Sequence, residues 1–223
     1  MAVSGILLML FVLGHMLGNL QVFLGAEQLN AYAGKLQGLG PLLWVIRLVL
    51  LGILLAHVFA AIKVWRDTAK ARPIPYSHPG NVQTTLAAKS MLLTGALVAL
   101  FLVWHLLHFT VVTSAALEAI KHPAGAEGHA ALDVYGMVIA GFSNGGVSLL
   151  YIVAQILLGV HLSHGASSLF QTLGLRGTGM KASKTDLFAK GFAGLIVVGN
   201  CSIPIAVLLF GLGEGHLFGL LHG

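Results

Sequence analysis

Apolar residues in this chain are massed into five long runs, at residues 2–24, 42–64, 91–115, 147–170 and 188–212. Each is about twenty residues or longer, enough to cross roughly 30 Å of hydrocarbon at about 1.5 Å of rise per residue. Membrane strands would need only about ten residues apiece and would alternate apolar with polar, which these runs do not. The pattern predicts an all-α integral membrane protein: five transmembrane helices in a single domain over residues 1–223.

The polar connections are short. Residues 25–41, "GAEQLNAYAGKLQGLGP", read as a glycine-bearing loop with room for one amphipathic helical turn around Tyr32. Residues 66–90 include "ARPIPYSHPGN", whose prolines oppose a long helix. The 116–146 connection carries Glu118, Glu127 and Asp133, three of the seven acids in the chain, and closes with "SNGG". None of these could fold alone, so function is expected inside the helices or in what docks on them.

Composition agrees: 57% of residues are hydrophobic and 9% charged, and the mean hydropathy is +0.91. The first run lacks a basic start and carries His15, Asn19 and Gln21, so it reads as a helix of the mature protein rather than a signal peptide. Cys201 is the one cysteine, which excludes an internal disulfide, and no C-x-x-C-H occurs.

A pI near 9.6 raises the question of a nucleic-acid partner, but the basic residues are distributed otherwise. Lys63, Arg66, Lys70, Arg72 and Lys89 border the second connection, and Arg176, Lys181, Lys184 and Lys190 border the fourth. Only Lys35, Arg47 and Lys121 belong to the opposite side. Those two connections are expected to be cytoplasmic, with the N-terminus inside and the C-terminus outside. Topology accounts for the charge, and no nucleic acid is implied.

Candidate chemistry lies in a repeat. At an offset of ninety, Met1, Ser4, Gly5, Leu7, Leu10, Phe11 and His15 fall on Met91, Thr94, Gly95, Leu97, Leu100, Phe101 and His105. This M-x-x-[ST]-G-x-L-x-x-L-F-x-x-x-H gives helices one and three equivalent parts. The repeat also favours His105 over His108, since His105 answers His15. Helix two adds His57, and helix four adds either His161 or His164.

An ionisable or ligating side chain at bilayer depth is costly and points to function. A single such histidine is as often an interhelical hydrogen-bond donor, but four helices each supplying one are poorly explained by packing. With alternating helix directions, His15 and His105 fall on the outer side of the midplane. His57 and the fourth-helix histidine fall on the inner side, the two pairs offset by roughly 10 Å. Two imidazoles facing across a bundle are the axial ligands of a low-spin haem b. Zinc would want three or four ligands at one depth, and none of the seven acids is near mid-membrane. Helices one to four are therefore expected to form a haem-binding bundle holding two haem b. Gly14, Gly18, Gly52, Ala56, Gly95, Gly159 and Gly165 would let a flat macrocycle approach the backbone.

"HMLGNLQVFLGAEQLNAYA", "TGALVALFLVWHLLHF" and "HLSHGASSLFQTLGL" resemble the five-helix, dihaem cytochrome b anchor of succinate dehydrogenase and fumarate reductase, over nearly the whole chain. The resemblance implies a respiratory complex of the cell inner (plasma) membrane. There, a flavoprotein subunit and an iron-sulfur subunit on the cytoplasmic face exchange electrons with a membrane quinone, commonly menaquinone, through two haems. It implies His15 and His105 as ligands of the outer, distal haem and His57 with the fourth-helix histidine as ligands of the inner, proximal one. For that helix, comparing "LLGILLAH" with "LLGVHLSH" favours His164. The family's spacing, four residues before a glycine, favours His161, which we take. Some related fumarate reductases carry a glutamate beside this histidine, associated with proton movement. Here the neighbours are Gly159, Val160 and Leu162, so that route is not expected.

Quinone carbonyls need donors beside a haem. The outer loop offers Gln28, Asn30, Tyr32 and Lys35, of which Gln28 and Tyr32 are preferred; the inner side offers Lys89, Ser90 and His78. Membrane lipid and a higher oligomer of the complex are further expected partners. The alternative reading is a dihaem cytochrome b of another membrane dehydrogenase or hydrogenase, for which the haem argument is unchanged. A transporter with histidine relays would want broken helices and midplane charges.

Overall fold

The computed structural model describes residues 1–71, 84–112, 114–122, 132–176 and 180–222. Among these there is helix and no strand. Five helices are long and apolar enough to cross a membrane, the pattern of a multi-pass membrane protein. His78, Arg72 and Glu127 lie outside the described residues.

Helix α1 (Ala2–Asn19) runs on through a 3₁₀ turn, Leu20–Leu24, and stops at Gly25, whose φ of 98° suits glycine. The next segment is more regular than expected from sequence. Instead of one turn around Tyr32 it is a twelve-residue helix, α2 (Ala26–Gln37). This helix folds back on α1 because Gly18 has no side chain: a Cβ there would stand 2.6 Å from the Tyr32 hydroxyl.

Helix α3 (Pro41–Ala71) is the second span; it packs chiefly on α1 and buries none of its residues. A short turn, α4 (Leu86–Lys89), leads into the third span, α5 (Met91–His105), which continues as a π-helical turn, Leu106–Thr110. This span ends at Thr110 rather than reaching residue 115.

The following connection also differs from expectation. It contains α6 (Ala115–Lys121) and α7 (Val134–Phe142). The run "VYGMVIAGF" is too short to cross a bilayer, and it buries Tyr135, Gly136, Met137, Ile139, Gly141 and Phe142 instead. Asp133 caps α7 by accepting from the Gly136 N–H at 2.9 Å. Asn144 caps the fourth span, α8 (Gly145–Thr172), through the Gly146 and Val147 N–H groups.

The fifth span, α9 (Met180–Phe210), packs antiparallel on α8 along most of its length. Glycines allow the approach: a Cβ on Gly159 would overlap Val197, and one on Gly199 would overlap Met16 of α1. Met16, Leu162, Ala193 and Ile196 form one buried cluster at this three-helix contact. A second cluster, with Val22, Leu29, Tyr135, Ile139, Phe142, Tyr151, Ile203 and Val207, lies where α2 and α7 cover the spans. Helix α10 (Glu214–His222) closes that end.

Candidate functional site

The first turns of α1 and α5 repeat the pair Ser/Thr-Gly, and each pair meets a histidine of the helix that follows in sequence among the spans. Ser4 Oγ lies 3.2 Å from His57 Nδ1 of α3, and Thr94 Oγ1 lies 3.3 Å from His161 Nδ1 of α8. The glycines make the room. A Cβ at Gly95 would stand 3.1 Å from His161 Cε1, and one at Gly5 would stand 3.7 Å from His57 Cε1. His57 and His161 thus occupy matching seats on the two copies of the repeat. His164, one turn further along α8, lies in the field of Arg176, which donates to Asp186 at 2.8 Å.

Eleven residues further along both helices, counting 4 to 15 and 94 to 105, stands the second pair. The His15 and His105 rings are 5.8 Å apart between centroids and nearly perpendicular, at 82°. At about 1.5 Å per residue this puts Ser4 and Thr94 about 16 Å along their helix axes from His15 and His105.

The π-helical turn after His105 widens the helix locally. As a result His105 and His108 both reach one hydroxyl, Tyr151 Oη, at 3.2 Å and 3.0 Å from their Nδ1 atoms. Tyr151 is buried, edge-on to Phe101 and Phe142. It has one proton, so it donates to one imidazole and accepts from the other. His15 has its Nε2 against the Asn19 side-chain amide at 3.1 Å. Tyr151 was not singled out from sequence, and Asn19 only as a polar residue of the first run; a tyrosine in an apolar helix, which needs a buried hydroxyl partner, is the signal that marks Tyr151.

The glycines named from sequence divide into two kinds. Gly18 and Gly159 are filled by Tyr32 and Val197, and Gly95 seats His161, whereas Gly14, Gly52 and Gly165 have nothing within 4 Å of a notional Cβ. Only the latter three leave open space beside the histidines' helices.

The quinone candidates do not converge. Gln28 is exposed and donates to Gln21 Oε1 at 3.2 Å, and Tyr32 rests on Gly18. Lys89 is exposed at the other end of the spans, while Ser90 donates its hydroxyl to the Ala87 carbonyl at 3.3 Å. Lys35 is exposed. Asn30 serves a structural knot: its amide donates to Asp133 Oδ1 and accepts from the Tyr135 N–H, both at 2.9 Å. The buried Asp133 carboxylate also meets His216 Nε2 at 2.7 Å, joining α2, α7 and α10. Burial and then the Asp133 charge push the Tyr135 phenol above its usual value.

The site is thus that of a helical membrane protein in which the His15 and His105 rings face each other and His57 and His161 each meet a hydroxyl of the repeat; among the described residues, no three His, Cys, Asp or Glu side chains converge on one point. No family model, curated protein or solved structure matches the chain.

Proposed function

We propose that this chain is a dihaem cytochrome b, the membrane anchor of a succinate:quinone oxidoreductase, with its N-terminus in the cytoplasm. The pairing of His15 with His105 and of His57 with His161 carries the reading. Each pair draws its imidazoles from two different helices, which is how a planar group is gripped from both faces. The His15 and His105 rings, with centroids 5.8 Å apart, leave room for a metal to be held between them. Open space beside Gly14, Gly52 and Gly165 gives a flat group access to the backbone. Helix α3, which supplies His57 yet has no buried residue, is not filled in by its neighbours, which agrees as well.

When bound, the two groups would supply one-electron transfer. The chain's own part is to hold the four imidazoles and to exclude water around them. His57 and His161 would hold the inner group and His15 and His105 the outer, where the Asn19 amide that meets His15 Nε2 at 3.1 Å would have to give way. The basic residues flanking the second and fourth connections form the face on which the flavoprotein and iron-sulfur subunits dock. Gln28, Tyr32, Lys89 and Ser90 remain proposed quinone contacts, supported by their position at the ends of the spans alone.

The test is a dithionite-reduced minus oxidised spectrum with haem quantified against chain. Two b haems are expected; His57→Ala and His161→Ala lose one and the same haem, His15→Ala and His105→Ala the other. No haem, or His161→Ala with both haems intact, would sink the assignment. The particular complex is read from what copurifies: a flavoprotein, an iron-sulfur protein and succinate:quinone activity, rather than a hydrogenase or another dehydrogenase.

A further inference from the structure

We infer that Ser4 and Thr94 are matched positioning residues for the inner pair, each locking its histidine into the tautomer that leaves Nε2 bare for a metal. This rests on the dihaem reading and goes beyond it: the repeated helix does not build one haem site twice over. Each copy serves both sites, through its Ser/Thr-Gly at one level and through its histidine at the other.

The argument follows from counting protons. A serine or threonine hydroxyl has a single proton and two lone pairs. The shortest contact of Ser4 Oγ, 3.0 Å, is to the Met1 carbonyl. Thr94 Oγ1 has its two shortest contacts to carbonyls as well, Ser90 at 2.9 Å and Met91 at 3.2 Å. A carbonyl only accepts, so in both places the hydroxyl proton is directed back along its own helix. What each hydroxyl offers the imidazole is therefore a lone pair, and His57 Nδ1 and His161 Nδ1 must be the donors.

A neutral imidazole protonated on Nδ1 has its lone pair on Nε2. Neither Nε2 has a hydrogen-bond partner among the described residues. Thr94 is itself buried, at 4% exposure, so water does not compete for the bond. The two seats come from positions 4 and 94 of the same repeat, and a packing accident would not be expected to reproduce both the hydroxyl and the adjoining glycine. The same geometry separates His161 from His164, because only His161 is seated.

Donation from Nδ1 to an acceptor makes the ligating imidazole more basic and favours the oxidised metal. The experiment uses the purified complex with Ser4→Ala, Thr94→Val, which keeps the shape without the hydroxyl, and Thr94→Ser, which keeps the hydroxyl. Redox titration and low-temperature electron paramagnetic resonance are read for each haem. We expect both haems to remain bound in all three. Ser4→Ala and Thr94→Val raise the midpoint potential and move the resonance of the haem that is lost in His57→Ala, leave the other haem unchanged, and Thr94→Ser behaves as the parent chain. Unchanged potentials and resonances in Ser4→Ala and Thr94→Val, or equal shifts in both haems, would overturn the inference while leaving the dihaem reading intact. Absence of haem from the parent chain overturns both.

Discussion

Tyr151 shows how much one side chain can determine. Its hydroxyl is the shared partner of His105 Nδ1 and His108 Nδ1, so removing it leaves two imidazole nitrogens without their partner in a largely apolar setting. A buried polar atom left unsatisfied costs about 1–3 kcal/mol. Tyr151→Phe, which keeps the ring packing against Phe101 and Phe142, is expected to destabilise the chain by that amount, seen as a lower melting temperature in detergent. A melting temperature equal to that of the parent would mean the hydroxyl bonds are not needed. At this scale the histidines themselves were legible from sequence, since imidazoles stand out against hydrocarbon. Their partners were less so: Ser4 and Thr94 were visible as matched letters, but which ring they touch depends on how α3 and α8 lie beside α1 and α5.

Among the elements, α10 and α7 depend on one carboxylate. Asp133 caps α7, accepts from Asn30 of α2 and meets His216 of α10, and is nearly fully buried. Losing a helix cap costs about 1 kcal/mol and losing hydrogen bonds to a charged group about 1.5–3 kcal/mol. Asp133→Ala is therefore expected to cost about 2–4 kcal/mol and to raise hydrogen exchange in α10 before the spans are affected. Uniform exchange along the chain would count against a local knot. Sequence pattern identified the five spans because twenty apolar residues in a row have few alternatives. It missed α7 because nine apolar residues are equally at home in a buried loop or helix, and only contact with Tyr151, Ile203 and Val207 makes the choice.

For the whole molecule, the distribution of basic residues argues that the second and fourth connections share one side of the membrane. Single cysteines placed at Asp67 and Lys184, in a Cys201→Ser background, are expected to react with an impermeant maleimide only from the cytoplasmic side, and one placed at Lys121 only from outside. Labelling of residues 67 and 121 from the same side would overturn the proposed topology, and labelling of 67 from outside with 121 from inside would reverse it. The buried Cys201 would not confuse the result even where its replacement is poorly tolerated.

Composition and run length were sufficient for a helical protein with five membrane spans, because hydrocarbon leaves the backbone no other way to satisfy its hydrogen bonds in a single segment. The repeat was likewise written in the letters, and with it the equivalence of His15 and His105. Distances between helices are not local properties, so the rest waited on packing. The hydroxyl that each of His57 and His161 meets, the sharing of Tyr151 by His105 and His108, and the sorting of glycines into filled and open all follow from which faces meet. Those faces meet where small residues let backbones approach and where a hydroxyl comes within hydrogen-bond distance of an imidazole.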